Sequence, residues 1–424
     1  MFKKFKKTQL FKKIQKTLPY KIAKKIYRTG KKIIKKWGKF YTFRILYPGI
    51  YKKNAKKKVN KDKVVFIEAR MTSITNSFKY MYDELKNKYN YDIHVHYLRA
   101  GFAKKEEYAL LCKDMIADIA DAKYVFLNDS SNVISCLPMR KETKVTQLWH
   151  ACGAFKKFGM STADLIFGDN RATLEKYPYH KNYTYVTVSS PEVVWAYEEA
   201  MSYEDKKGVV VPTGSSRTDY FFDKDVIEKA YRSLHKAFPQ AKGKKVILYA
   251  PTFRGRVAKA KTPNVLNIEE FYKELGDEYV LIFKHHPFVK KRTAIPEQCK
   301  DFAVDCTDLM SIDDLLCVSD ICISDYSSLV FEYSLFERPM LFLAHDLDEY
   351  YDWRGFYYDY KEFVPGPIYS TNEEMLDYIK NINKKFDKQK VIDFRDKYMS
   401  ACDGHATERI MKLVFGDSLK THLK

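Results

Sequence analysis

At 424 residues the chain is too long for one ordinary core of about 150 residues, and its 46% hydrophobic and 15% aromatic content excludes a largely disordered protein. Eight cysteines with no Cys-x-x-Cys pair argue against a disulfide framework, a zinc ribbon and thioredoxin-like chemistry, so reduced thiols in a cytoplasmic protein are the simplest reading. The net charge of +21 sits at one end: residues 1–63 carry 24 Lys or Arg against the single acid Asp62, whereas residues 64–424 carry 51 basic and 53 acidic residues.

The basic arm lacks the apolar run of a signal peptide and comes nowhere near the roughly 20 apolar residues of a membrane span. Its apolar residues Leu10, Ile14, Leu18, Ile22, Ile26, Ile33 and Trp37 recur at steps of four or seven among lysines, which predicts an amphipathic helix. An anionic membrane surface suits such a helix, because Ile and Trp insert while lysines meet headgroups. Phosphates of a nucleic acid need no buried Ile or Trp, so no nucleic-acid partner is expected. A purely solubilising tail is the remaining alternative.

From residue 63 onward, short β-branched and aromatic runs alternate with longer amphipathic stretches. Strands are expected at 63–68, 92–98, 124–128, 144–149 and 183–188, then from residue 244 and at 279–283, 320–324 and 339–344, with helices such as 76–89 and 104–120 between them. This alternation predicts an α/β protein with two Rossmann-like domains facing a cleft, preceded by the basic helical arm. The expected divisions are 1–62 for the arm, 63–235 for the first domain and 236–424 for the second, with 216–242 as the crossing segment.

In such sheets ligands sit beyond the carboxyl ends of the strands, so the residues just after each strand carry the chemistry. His150 follows the fourth strand and is placed to accept a proton near neutral pH, or merely to hydrogen-bond its own loop. In the second domain Thr252 and Arg254 follow one strand, Lys284, His285 and His286 the next, and Ser324, Asp325, Ser327 and Ser328 a third. Cationic donors with a serine-capped helix start at three successive strand ends predict a diphosphate site. No histidine or carboxylate set has metal-site spacing, no Walker sequence occurs and no Gly-x-Gly-x-x-Gly follows the first strand. ATPase and dinucleotide-linked readings lose their support, no cofactor is firmly predicted, and the use of a divalent metal stays open.

Trp149-His150, Pro251-Thr252-Phe253-Arg254, His286-Pro287, Ser324-Asp325-Tyr326-Ser327-Ser328 with Arg338-Pro339, and the stretch from Asp348 through Arg354-Gly355-Phe356-Tyr357 resemble, in order, the motifs of the CDP-glycerol glycerophosphotransferase family. The resemblance covers roughly residues 145–360. It implies a GT-B fold, peripheral attachment to the cytoplasmic membrane face, and transfer of glycerol phosphate or ribitol phosphate from CDP-glycerol or CDP-ribitol to a hydroxyl of an undecaprenyl-linked teichoic acid precursor, with release of CMP. It further implies that His150 is the catalytic histidine, that Arg254, His286, Ser327 and Ser328 hold the donor's phosphates with Thr252, Lys284, Ser324, Asp325 and Arg354 around them, and that Arg217, in a turn similar to the family's Gly-x-x-Arg-x-Asp, joins that phosphate cleft. Where many members read Trp-His-Gly-Thr-Pro, this chain reads Trp149-His150-Ala151-Cys152-Gly153. A GT-B glycosyltransferase using a nucleotide sugar is the alternative.

Overall fold

The computed structural model describes residues 18–166, 168–255 and 260–424, with the backbone alone for 18, 20, 21, 23 and 351–354. The first sheet holds β1 (Asn60–Glu68), β2 (Asp92–Tyr97), β3 (Ala122–Leu127), β4 (Lys144–Gln147), β5 (Tyr185–Thr187) and β6 (Val210–Val211) in the order β2-β1-β3-β4-β5-β6. The second holds β7 (Lys245–Tyr249), β8 (Tyr279–Phe283), β9 (Ala303–Asp305), β10 (Ile321–Ser324), β11 (Met340–Leu343) and β12 (Ile368–Tyr369) in the order β12-β11-β10-β7-β8-β9. Every pairing is parallel. Helices cover both faces, which is why β1, β8, β10 and β11 read as continuous apolar runs rather than alternating ones.

The strand order turns back between β1 and β3 in the first sheet and between β7 and β10 in the second. These two crevices are where such sheets bind ligands. The segment 216–242, expected as a crossing, lies between β6 and β7 and forms a short 3-10 helix, Ser216–Phe222, and an α-helix, Lys224–Ala237, capped by the Asp223 carboxylate, which accepts from the Asp225 and Val226 amides. Its polar composition is the exposed face of a helix that buries Ala230 and Leu234.

The chain then returns to its beginning. After the second sheet is complete, the helix Ala406–Phe415 lays Ile410, Met411, Val414 and Phe415 against Phe66, Tyr124 and Phe126 of the first sheet. The Asp219 carboxylate accepts from the amides of Ala406 (3.0 Å) and Thr407 (2.7 Å), fixing where that helix starts. Burial of each such aromatic side chain contributes about 1.5–3 kcal/mol.

The arm is helical where described: an α-helix at Leu18–Phe40 runs without a break in helical backbone through a π-helical turn, Tyr41–Leu46, into Tyr47–Asn54. Leu10 and Ile14 of the expected stripe lie outside the described residues. Ile22, Ile26, Ile33 and Trp37 project into solvent, with Trp37 67% exposed. The rod is anchored at its far end, where Tyr47 and Tyr51 are buried in the same core cluster as Cys112, Met115 and Ile116 of the helix Lys105–Ile119. Among the described residues no helix is long and apolar enough to cross a membrane.

Candidate active site

His150 reaches the cleft because the strand before it ends abruptly. Trp149 adopts a left-handed backbone (φ +60°), costly for a bulky residue, and is held there by its amide donating to Gln147 Oε1 (3.0 Å) and its carbonyl accepting from Ser77 Oγ (3.1 Å). The His150 side chain, half exposed to the cleft, places Nδ1 3.1 Å from the Asn128 carbonyl and 3.7 Å from Asp129 Oδ1. A carbonyl can only accept, so Nδ1 carries the proton and Nε2 keeps its lone pair. Burial of the surrounding pocket lowers the His150 pKa below its ordinary value, more than Asp129 raises it, and the ring is neutral at neutral pH.

Asp129 lies just beyond β3, buried, and also accepts from Arg70 Nε just beyond β1. Burial alone would raise its pKa; His150 and Arg70 outweigh that and hold the carboxylate below the ordinary range. Glu68, fully buried, accepts from Thr75 and from Asn128 Nδ2 (2.7 Å), which fixes the Asn128 peptide that orients His150. Arg70, Asn128 and Asp129 thus line the β1/β3 crevice, and none of them stood out in the sequence. Their position just after β1 and β3 is the same strand-end signal that marks His150 after β4.

The loop leaving His150 crosses to the second half. Gly153 (φ +61°) packs so closely that a Cβ there would stand 2.2 Å from the Phe331 ring, and Phe155 stacks between Phe356 and Phe363. Here lies the reason for Gly at 153 in the chain's departure from Trp-His-Gly-Thr-Pro.

On the facing side, Arg254 binds Asp346 through Nε and Nη2, reaches Asp325 Oδ2 at 2.9 Å, and stacks over Tyr326 and Tyr350. Asp325 is buried and accepts from the Thr252 amide (2.8 Å), bridging the β7/β10 crevice; the Thr252 hydroxyl is buried without a partner. Ser324 donates to the Ala250 carbonyl and is wholly inside. Lys284 donates to the carbonyls of Thr307 and Met310, and burial lowers its pKa. Ser327 and Ser328 stand half-buried before the helix Leu329–Ser334, with Ser327 Oγ 3.4 Å from the Leu329 amide. The Arg354 side chain lies outside the described residues.

His286 is at the cleft rim, its ring set against Phe253 and Phe288. Its Nδ1 accepts from the Phe288 amide (3.2 Å), so its proton sits on Nε2. Burial against those rings, reinforced by the charges of Lys156 and Arg70 from the first half, lowers its pKa to about 4. The first half therefore faces it with cations, and His286 is a neutral N–H donor in a positive field.

Arg217 occupies a different place from the one expected. Its buried guanidinium binds Asp313 Oδ1 (2.5 Å) and Glu332 Oε1 (3.0 Å) of the second half and donates to the carbonyl of His150. It spans the halves as an ion-pair bridge, and its fork is taken up by carboxylates. The rest of its turn is equally architectural: Gly214 (φ +86°) abuts the Ala401 carbonyl, and Ser216 Oγ donates to the Ser77 carbonyl (2.6 Å).

Two facing crevices, one with a free imidazole nitrogen and one with N–H donors and an arginine-carboxylate cluster, define a two-domain group-transferring enzyme. A family model described as CDP-glycerol:poly(glycerophosphate) glycerophosphotransferase matches residues 50–416. The chain belongs to that family. It is 37% identical over 361 residues to the teichoic acid poly(ribitol-phosphate) polymerase of Bacillus spizizenii, a match covering 84% of this chain and 57% of that protein. It is 35% identical over 362 residues to the teichoic acid ribitol-phosphate primase of the same organism, covering 84% of this chain and 91% of the primase. The chain thus spans little more than half the length of the first relative and most of the second. Among solved structures, the wall teichoic acid polymerase TagF superposes with a TM-score of 0.72 at 22% identity, covering 94% of this chain and 98% of that one, which speaks to the fold. Family membership does not favour the nucleotide-sugar alternative.

Proposed function

We propose that the enzyme transfers a polyol phosphate from CDP-glycerol or CDP-ribitol to a hydroxyl of a lipid-linked teichoic acid precursor, working as a GT-B enzyme peripherally bound to the cytoplasmic membrane face. The single observation that carries this reading is the free Nε2 of His150, oriented by Asn128 and Asp129, in a crevice whose Arg70 comes near enough to His286 to lower that ring's pKa. The family and the two relatives supply the donor class.

In this mechanism the acceptor hydroxyl attacks the β-phosphorus of the donor. Its oxygen forms the new P–O bond, its proton passes to His150 Nε2, and the anhydride bond to CMP breaks, the electron pair leaving with the CMP phosphate. Charge grows on that phosphate, so donors aimed at it lower the barrier more than they aid ground-state binding. His286 Nε2–H, the amides at Ser327-Ser328, and Arg70 and Lys156 from the other side supply such donors. Arg254 acts in the same reading by holding Asp325 and Asp346, and through them the loops that carry Thr252 and Ser327. The first domain, 63–235, is the acceptor side and the second, 236–424, the donor side, whose helix Ala406–Phe415 crosses back to cover the first sheet. The arm, residues 1–62, brings this body to the bilayer.

Ribitol phosphate is the first donor to test, given what the two relatives named above transfer. CMP release from CDP-ribitol, CDP-glycerol and a UDP-sugar, each with a lipid-linked acceptor, is the assay. CMP from either CDP-polyol with product mass rising by one polyol phosphate or its multiples is expected; turnover of the UDP-sugar alone would end the proposal.

A further inference from the structure

At the foot of the arm a cavity of about 270 Å³ opens between the helical rod, the segment 132–138 and the segment 175–181, away from the catalytic cleft. Its walls carry Arg44 and Lys52 from the rod and Lys176 and Lys181 from the body. Tyr177 lines it as well, nine-tenths buried, and the Tyr177 hydroxyl has no hydrogen-bond partner. The same ring gathers cations: Lys39 Nζ stands 4.3 Å from its centroid, with Arg44 and Lys176 within 6 Å. Among the described residues none of these five cations makes an ion pair with a carboxylate, and Glu175 is the one acid in the lining. Arg217 and Arg254 are matched by two carboxylates each, whereas exposed Arg44 donates to the Lys176 carbonyl. Four of these five side chains are exposed, and an anion with several acceptor oxygens at the cavity mouth supplies the counter-charge that the protein does not.

The position of the cavity selects which anion. The exposed apolar stripe ends with Trp37, Tyr41 and Ile45, and Trp37 lies roughly 10 Å along the helix axis from Arg44. If the stripe enters the acyl boundary, the rod lies in the interface plane and the cavity opens beside the inserted stripe at the membrane surface. We propose that this cavity is a binding site for the phosphate of an anionic phospholipid headgroup, which seats the arm and thereby fixes the body's orientation on the bilayer. The proposal deepens the membrane reading above and rests on it.

The test uses the full-length protein and dihexanoyl phosphatidic acid below its micelle concentration, followed by calorimetry. The intact chain should bind it saturably at one site. Arg44→Gln with Lys176→Gln should weaken binding at least tenfold and Tyr177→Phe severalfold, whereas Lys31→Gln with Lys35→Gln, which removes equal charge from the exposed face of the rod, should leave it unchanged. Absence of saturable binding, equal loss in the Lys31/Lys35 control, or inorganic phosphate binding as tightly as the lipid would overturn the proposal, the last by reassigning the site to free phosphate. Flotation on phosphatidylglycerol vesicles separates the two claims. Failure to float with the short-chain lipid still bound removes the membrane reading and keeps the site; flotation without short-chain binding does the reverse.

Discussion

Replacing Arg217 with Ala tests whether the two halves are held by a buried charge bridge. Asp313 and Glu332, the carboxylates it pairs, are 8% and 2% exposed. Removing one partner of a buried pair costs about 3–5 kcal/mol, because the charge left behind has neither water nor counter-ion. Against a total stability of about 5–15 kcal/mol, that is a third or more. The stranded Glu332 carboxylate finds relief by taking up a proton. Burial already holds Glu332 above its ordinary pKa, with Arg217 the main opposing influence, so losing Arg217 moves it further up. A group whose folded pKa exceeds its unfolded value gives stability that is complete below the unfolded pKa and lost as pH rises through the folded one. The variant's deficit should therefore be largest at pH 8 and shrink toward pH 5. Urea unfolding of both proteins across that range is the assay, and Arg217→Met with Asp313→Asn and Glu332→Gln should regain most of the loss. A deficit below about 1 kcal/mol at pH 8, or one independent of pH, would refute the reasoning.

His150→Ala should lower CMP release about 10²- to 10⁴-fold while leaving the unfolding midpoint nearly unchanged, since the side chain is half exposed. In the wild type the acid limb of the rate profile should fall below pH 6.5, where burial places His150; a limb centred above 7 would contradict the base assignment. Gly153→Ala, with its Cβ 2.2 Å from Phe331, should destabilise the chain by at least about 1–3 kcal/mol by thermal unfolding. Arg254→Ala strands the buried Asp325 and should weaken CDP binding by calorimetry; unchanged affinity would move the phosphate site elsewhere. Ile26→Ser, Ile33→Ser and Trp37→Ser together should release the protein from anionic vesicles without changing its fold, because all three side chains are exposed, and equal flotation would place the membrane contact on the body.

The long strands were legible because helices cover both sheet faces and leave continuous apolar runs such as 279–283, found at those bounds. The edge strands β6, β9 and β12, of two or three residues, carry too short a pattern to register. Truncation before residue 60, which charge alone suggests, would strip Tyr47 and Tyr51 from the core; the boundary of the cationic arm is not the boundary of packing. At the candidate site, strand-end position is what singled out His150 and His286 for test. It did not reveal pairing: that Arg217 spends its fork on carboxylates 96 and 115 residues away, or Arg254 on Asp346, is decided by tertiary contact between segments with no local sign of each other.

The helix Ala406–Phe415 has a bearing on how the protein is made. Phe66 and Phe126 are covered by a segment that leaves the ribosome roughly 290 residues after Phe126, a lag of about half a minute at roughly 10 residues per second. For that interval the nascent first sheet shows an oily flank with its proper cover still unsynthesised. The first half is thus not a foldon that can finish early, and the nascent chain needs a chaperone or a transient intramolecular cover during elongation. Ribosome-stalled chains ending before residue 400 should be protease-sensitive in β1–β3, and chains extended well past residue 415 should be protected there.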